Sequence, residues 1–133
     1  MYDRFVVIDL ETTGHSVEKG DRIIQIGAVV CSNSDILSTY SSFVEPGVSI
    51  PAFIEELTGI TVDMLEGAPK FRTIIPTLLD LLKDSCLVAH NVDFDHSFLK
   101  KQFELEGFSF PDIPVVDTVE LARIFCQDRQ AIN

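Results

Sequence analysis

Two acidic residues, Asp9 and Glu11, stand at the carboxyl end of the first apolar segment, Arg4–Leu10. If that segment is a β-strand, side chains two residues apart project from the same face of the sheet. Two neighbouring carboxylates repel one another, and a hard cation such as Mg²⁺ or Mn²⁺ relieves that repulsion. A structural alternative has equal weight, in which Asp9 hydrogen-bonds the loop Thr12–Gly14 and Glu11 faces solvent. The pair alone leaves both interpretations open.

A third acid, Asp95, favours the chemical interpretation. The apolar run Cys86–His90 leads directly into a helical pattern over Asp93–Glu106, and Asp95 falls in the first turn of that helix. Ligand sites in sheets of this kind lie beyond the carboxyl ends of the strands. Three carboxylates that meet there could hold a pair of divalent metal ions, which clamp the attacking and leaving oxygens of a phosphodiester. The three acids therefore predict metal-dependent phosphoryl chemistry.

Length and charge limit the other classes of function. The chain has 133 residues, which fits one domain, and 46% of them are hydrophobic, which excludes a disordered acidic tail. Its 10 Lys and Arg against 21 Asp and Glu give a formal net charge of −11. That balance argues against a protein that grips duplex nucleic acid through a basic surface.

The thiols and the hydropathy pattern indicate the compartment. Cys31, Cys86 and Cys126 are far apart and odd in number, so they predict reduced thiols and neither a disulfide framework nor a cysteine-rich zinc site. No signal peptide and no window of membrane-spanning length are recognisable in the sequence. We expect a soluble cytoplasmic protein that has no membrane partner.

The elements that must position the acids follow from apolar periodicity. Three strands joined by short connections predict an antiparallel meander, at Arg4–Leu10, Arg22–Cys31 and Ile36–Val44. Helices and strands then alternate, at Ala52–Leu57, Val62–Leu65, Phe71–Lys83, Cys86–His90, Asp93–Glu106, Val115–Val116 and a capped helix from Asp117 through Phe125. Pro76 requires its helix to begin near that residue or to bend. This order predicts a mixed α/β sheet.

Both acidic segments resemble motifs of one family. Residues 5–14, FVVIDLETTG, resemble the first motif of the DEDD 3′–5′ exonuclease superfamily, the DnaQ-like group with a ribonuclease H-like fold. Residues 91–99, NVDFDHSFL, are similar to its second motif, and the resemblance also covers Phe43–Gly59 and Val115–Arg123. The stretch from Pro51 to Ile60 most resembles exonuclease domains fused to DinG-type helicases or to Gram-positive replicative polymerases.

The resemblance implies an activity and a set of roles. The implied activity is hydrolysis of phosphodiesters at the 3′ end of single-stranded DNA, with two Mg²⁺ or Mn²⁺ ions held by Asp9, Glu11 and Asp95. The implied contacts with the terminal nucleotide come from Thr12, Thr13, Gly14, Leu57, Thr58 and Asn91. For Leu57, Thr58 and Asn91 a core side chain, a turn and a helix cap, respectively, are alternatives of nearly equal weight.

A third family motif, His-x4-Asp on a later helix, has no such match. It would supply the general base for the attacking water and the last metal ligand. His90 and Asp95 have the spacing, but Asp95 already belongs to the second motif and His90 lies at a strand end, so we interpret the spacing as coincidence. We expect one exonuclease-like domain over residues 1–133 that is truncated at its C-terminus and poorly active alone. The alternative is a catalytically incomplete module that binds a helicase, polymerase or clamp partner.

Overall fold

The computed structural model describes residues 3–33 and 35–117. The elements within these residues are β1 (Arg4–Thr12), β2 (Ile23–Ser32), β3 (Asp35–Phe43), α1 (Ala52–Thr58), α2 (Val62–Leu65), α3 (Phe71–Leu82), β4 (Cys86–Ala89), α4 (Val92–Leu105) and β5 (Val115–Asp117). The predicted helix from Asp117 through Phe125 lies outside the described residues, apart from Asp117 at the end of β5.

The strands form one mixed sheet in the order β3-β2-β1-β4-β5. The pairs β1–β2 and β2–β3 are antiparallel, whereas β1–β4 and β4–β5 are parallel. The predicted meander and the mixed α/β class are therefore confirmed. Because β1 and β4 are parallel neighbours, with Val7 opposite Val88, their carboxyl ends open at the same edge of the sheet. That edge carries both acidic segments.

The strand β1 is two residues longer than predicted, because it pairs with β2 as far as Thr12. Its register shifts between Glu11 and Thr12, since Glu11 faces Gln25 and Thr12 faces Ile23. Such a β-bulge leaves one residue of the longer strand unpaired and re-aims the side chains beside it. Glu11 and Thr12 are thus held by the sheet and do not belong to a loop.

The core lies between the sheet and the helices α3 and α4. Alternate residues of β1 are buried against them, namely Val6, Ile8 and Leu10. The helices contribute Phe71, Ile74, Ile75, Leu78, Leu82, Phe98, Leu99 and Phe103. A second, smaller cluster fixes the α1–α2 segment to β2 through Ile24, Ile54, Ile60 and Leu65. The cluster positions α1 beside the end of β1.

The helix α3 begins at Phe71, five residues before Pro76, and not near Pro76. Proline in a helix removes one backbone donor, here the one that would bond the carbonyl of Arg72. Burial of the Phe71, Ile74 and Ile75 side chains compensates for this lost hydrogen bond. These side chains pack in the core only if the helix begins before Pro76. Among the helices of the described ranges, none is long and apolar enough to span a bilayer.

Candidate active site

Three carboxylates meet at the edge where β1 and β4 end. Asp9 is exposed and Glu11 is half-buried on β1, whereas Asp95, at the start of α4, is 7% exposed. Burial and the nearby Asp9 carboxylate raise the pKa of Glu11 above its usual range. The acids are therefore close enough to destabilise one another's charged forms.

Asp95 is the most perturbed of the three acids. Burial, the Asp9 carboxylate and, more weakly, Glu11 raise its pKa to about 6, and His90 partly opposes the shift. Burial beside other carboxylates makes the ionised form of Asp95 costly. A bound cation would remove that cost, so the donor set fits a divalent metal.

The acids are not arranged as a preformed ligand cage. Within residues 3–33 and 35–117, no group of three or more His, Cys, Asp and Glu side chains surrounds one point closely enough to hold a metal ion. The three acids nevertheless influence one another, since Asp9 raises the pKa of both Glu11 and Asp95.

A cavity of about 260 Å³ adjoins the acidic edge. Ten residues line it, and six of them are residues singled out from the sequence: Glu11, Thr12, Gly14, Leu57, Thr58 and Asn91. The other four are Leu10, His15, Ile54 and Phe94. Residues from β1, α1 and the start of α4 are thus brought to one pocket from three separate parts of the chain. Pockets with an apolar lining and a few convergent polar groups are typical ligand sites.

The structure distinguishes the alternatives for three pocket residues. Leu57 is 78% exposed, so it is not a core side chain. Asn91 occupies the N-cap position of α4, but its side chain makes no capping hydrogen bond. Thr58 does have the structural role, because its hydroxyl donates to the carbonyl of Ile54 and accepts from the N–H of Ile60. Leu57 and Asn91 therefore present side chains that the fold does not use.

The structural alternative for Asp9 is not realised, because the loop after β1 is organised by Asp21. The Asp21 carboxylate accepts hydrogen bonds from the Ser16 N–H at 3.0 Å and from the Thr13 hydroxyl at 3.3 Å. The Thr13 hydroxyl in turn accepts from the Arg22 N–H. Thr13 is buried and does not line the cavity, unlike Thr12 and Gly14 on either side.

Gly14 is required by this arrangement. A Cβ atom at position 14 would overlap the Asp21 carboxylate. Asp21 was not among the residues predicted for the site from the sequence. Its partners lie only five and eight residues earlier, but an isolated acid in a polar loop does not show which backbone and hydroxyl donors it will accept.

Gln102 is a second residue that sequence reasoning missed. It is 3% exposed, and its Oε1 accepts the Ile23 N–H at 3.0 Å, across 79 residues of sequence. Ile23 is the residue opposite Thr12, at the bulge, so this bond ties α4 to the pocket end of β1 and β2. Gln102 lies seven residues after Asp95 on the same helix face. Its polar side chain on the apolar face of α4 was the available signal.

Two aromatic rings on the pocket wall were also missed. His15 and Phe94 make an edge contact at 5.9 Å between ring centroids, and Phe94 packs against Phe98 at 5.5 Å. Phe94 therefore faces the cavity on one side and the core on the other. Its position directly before Asp95 could have indicated this role.

Comparisons with known proteins agree with the geometry. The model of the exonuclease family RNase_T matches residues 6–131. The 3′–5′ exonuclease DinG of Bacillus subtilis (strain 168) is 50% identical over 121 residues, which are 91% of this chain and 13% of that protein. The PolC-type DNA polymerase III of Clostridium perfringens (strain 13 / Type A) is 43% identical over 131 residues, 98% of this chain and 9% of that protein.

The same fold occurs in a solved structure. The zinc-bound complex of E. coli ExoI with single-stranded DNA superposes with a TM-score of 0.76 at 19% identity, over 91% of this chain and 29% of that one. The predicted ribonuclease H-like fold and the predicted resemblance to DinG and polymerase exonuclease domains are confirmed. The chain spans about one eighth or less of the two curated relatives.

Proposed function

This chain belongs to the RNase_T exonuclease family, and we propose that it removes nucleotides from the 3′ end of single-stranded DNA with the help of Mg²⁺ or Mn²⁺. The observation that carries the proposal is the position of Asp95. It is a buried acid whose ionised form is opposed by Asp9 and Glu11, and its neighbour Phe94 lines a pocket of about 260 Å³ together with Glu11. The relative named 3′–5′ exonuclease DinG supports the direction of cleavage.

In the proposed site Asp9, Glu11 and Asp95 hold the metal ions. When bound, the ions supply activation of water and charge stabilisation of the 3′-oxygen leaving group. The pocket residues position the substrate. Thr12 and Gly14 border the terminal nucleotide, and Leu57 and Phe94 contact its apolar surface. Asn91 offers an amide beside Glu11. Thr13 acts indirectly, since its hydroxyl fixes the loop through Asp21.

An unpaired substrate end fits the charge of the protein. The formal net charge of −11 leaves little basic surface for the phosphates of a duplex. A single strand can instead be held by its terminal nucleotide in the pocket. We propose that a fused or associated helicase or polymerase delivers this end; the name of the PolC-type relative supports the polymerase.

We further propose that residues 1–133 are a slow nuclease by themselves. The only His-x4-Asp spacing in them joins His90 to Asp95, which is already a metal ligand in this scheme. Without a dedicated general base, hydrolysis would be slower by about 10²–10⁴.

Two measurements test the function. Calorimetry should detect Mn²⁺ binding to the 133-residue chain, and the Asp9→Ala variant should lose it. A longer protein that contains this domain should shorten 5′-labelled single-stranded DNA from its 3′ end in Mg²⁺, and EDTA should stop it. Absent Mn²⁺ binding, or binding unchanged by Asp9→Ala, would instead favour the catalytically incomplete module.

A further inference from the structure

The α1–α2 segment exposes an unusual amount of apolar surface. Nine large hydrophobic side chains are exposed in the described residues, and four of them lie in this short segment: Phe53, Leu57, Val62 and Met64. Phe53, at 62% exposure, is the only aromatic residue of the nine. Exposed apolar groups that cluster beside a pocket are typical of binding surfaces.

Helix geometry places Phe53 at the rim of the pocket. Residues of an α-helix are about 100° apart, so Phe53 and Leu57 lie one above the other on nearly the same face. Ile54, Leu57 and Thr58 line the cavity, which defines the pocket side of α1. Going around the helix away from the cavity, Leu57 comes first and Phe53 comes next. The ring of Phe53 therefore continues the apolar surface of Leu57 out of the pocket.

The charges of α1 restrict what can lie on this surface. The helix carries Glu55 and Glu56 and no Lys or Arg. Glu55 is directed towards α2, where it accepts the Val62 N–H at 3.2 Å. Phosphates would be repelled by Glu56, whereas an uncharged aromatic base is not. A ligand that follows Leu57 onto Phe53 must therefore contact the helix with a base and keep its phosphates away from it.

From this placement we propose that Phe53 is a stacking platform for the second unpaired base from the 3′ end of the substrate. This inference rests on the proposed function, because it assumes that the terminal nucleotide occupies the pocket. Stacking of a base on an aromatic side chain is worth about 1–3 kcal/mol and tolerates every base, so the site would bind without sequence preference. It would also require at least two unpaired nucleotides.

Ligands of different length test the proposal. The probes are thymidine 5′-monophosphate and 5′-phosphorylated di- and trithymidylate, titrated into the protein with Ca²⁺ and followed by calorimetry. We expect the wild type to bind the dinucleotide more tightly than the mononucleotide. Phe53→Ala should weaken dinucleotide binding about 5- to 150-fold and leave mononucleotide binding unchanged. Phe53→Trp should retain the tighter dinucleotide binding.

Ile36→Ala is the matched control, since Ile36 is 69% exposed on β3, two strands away from β1. It should alter neither affinity. If wild type binds both ligands and Phe53→Ala changes neither, the stacking role is overturned while the proposed function stands. An equal loss for both ligands also overturns it, because Phe53 would then act on the pocket itself. If the wild type binds neither ligand, the proposed function fails and the stacking role fails with it.

Discussion

Asp21 and Asp95 are two acids with opposite surroundings, at the same end of the molecule. Asp21 is surrounded by donors that the protein supplies, from Ser16 and Thr13. Asp95 is more deeply buried, yet it faces two other carboxylates. The first carboxylate is hydrogen-bonded by its own loop, whereas the ionised form of the second is opposed by burial and by its acidic neighbours and is only partly favoured by His90.

This difference separates structural acids from functional ones. A buried polar group that is hydrogen-bonded contributes to stability, and one that is left unpaired costs stability. Removing Asp21 should therefore harm the fold, and removing Asp95 should improve it in the absence of metal. Catalytic activity should instead depend directly on Asp95 and only indirectly, through the fold, on Asp21.

The largest expected effect is on catalysis. Asp95→Asn in a longer protein that carries this domain should slow 3′-end hydrolysis by about 10²–10⁴, because an amide is a poor metal ligand. The assay is a time course on 5′-labelled single-stranded DNA. Asp112→Asn, a change at an exposed acid after α4, is the control. Full activity of Asp95→Asn would remove the distinction between the two acids.

Gly14→Ala should destabilise the protein by about 2–4 kcal/mol, since a Cβ atom cannot coexist with the Asp21 carboxylate and its hydrogen bonds. Urea unfolding followed by circular dichroism measures the change. Gly27→Ala on β2 is the matched control, because a Cβ atom there meets nothing within 4 Å. Equal stability of the two variants would mean that the Asp21 network is not rigid.

The next expected effect is on the pH dependence of the free energy of unfolding, which should depend on Asp95. The pKa of Asp95 is about 6 in the folded state, against its ordinary value of 3.8. The folded state therefore binds the proton more tightly, and ionisation of Asp95 destabilises the fold as pH rises. In EDTA, wild-type stability should fall relative to Asp95→Asn between about pH 4 and pH 7, by up to about 3 kcal/mol.

Thermal and urea unfolding across that pH range provide the two curves. Saturating Mn²⁺ should bring them together or reverse their order, because a bound cation offsets the charge of Asp95. Parallel curves in EDTA would contradict the raised pKa of this carboxylate.

The smallest expected effect on stability comes from the hydrogen bond that joins Gln102 of α4 to Ile23 at the bulge. Gln102→Leu keeps the side-chain volume but leaves the Ile23 N–H without its acceptor, which should cost about 1–2 kcal/mol of stability. Hydrogen exchange should show faster exchange at the Ile23 amide than at amides in the middle of β2. Lys100→Leu, at an exposed position of the same helix, should leave that amide protected.

Much of the acidic edge could be predicted because it depends on local geometry. Asp9 and Glu11 share a face through the two-residue period of a strand, and Asp95 falls in the first turn after β4 through the order of the elements. The connections between β1, β2 and β3 are short, and on that basis the sequence also predicted that these strands form an antiparallel meander. These properties follow from neighbours in sequence, so they are present before the chain folds.

Other features came from tertiary structure alone. Packing of Phe71, Ile74 and Ile75 outweighed the cost of Pro76 inside α3. Pairing with β2 extended β1 to Thr12. In both cases the local propensity pointed elsewhere, and burial of apolar surface or completion of hydrogen bonds between strands decided the outcome.

By itself the sequence determined the identity and spacing of the acids, the order of the elements and hence the family. Tertiary structure alone decided the surroundings of Asp95, because Asp9 and Glu11, which raise its pKa, lie more than 80 residues earlier in the chain. It also decided that Leu57 from α1 and Asn91 before α4 face one pocket with Glu11. Periodicity operates between near neighbours, whereas a binding site is defined by contacts across the whole chain.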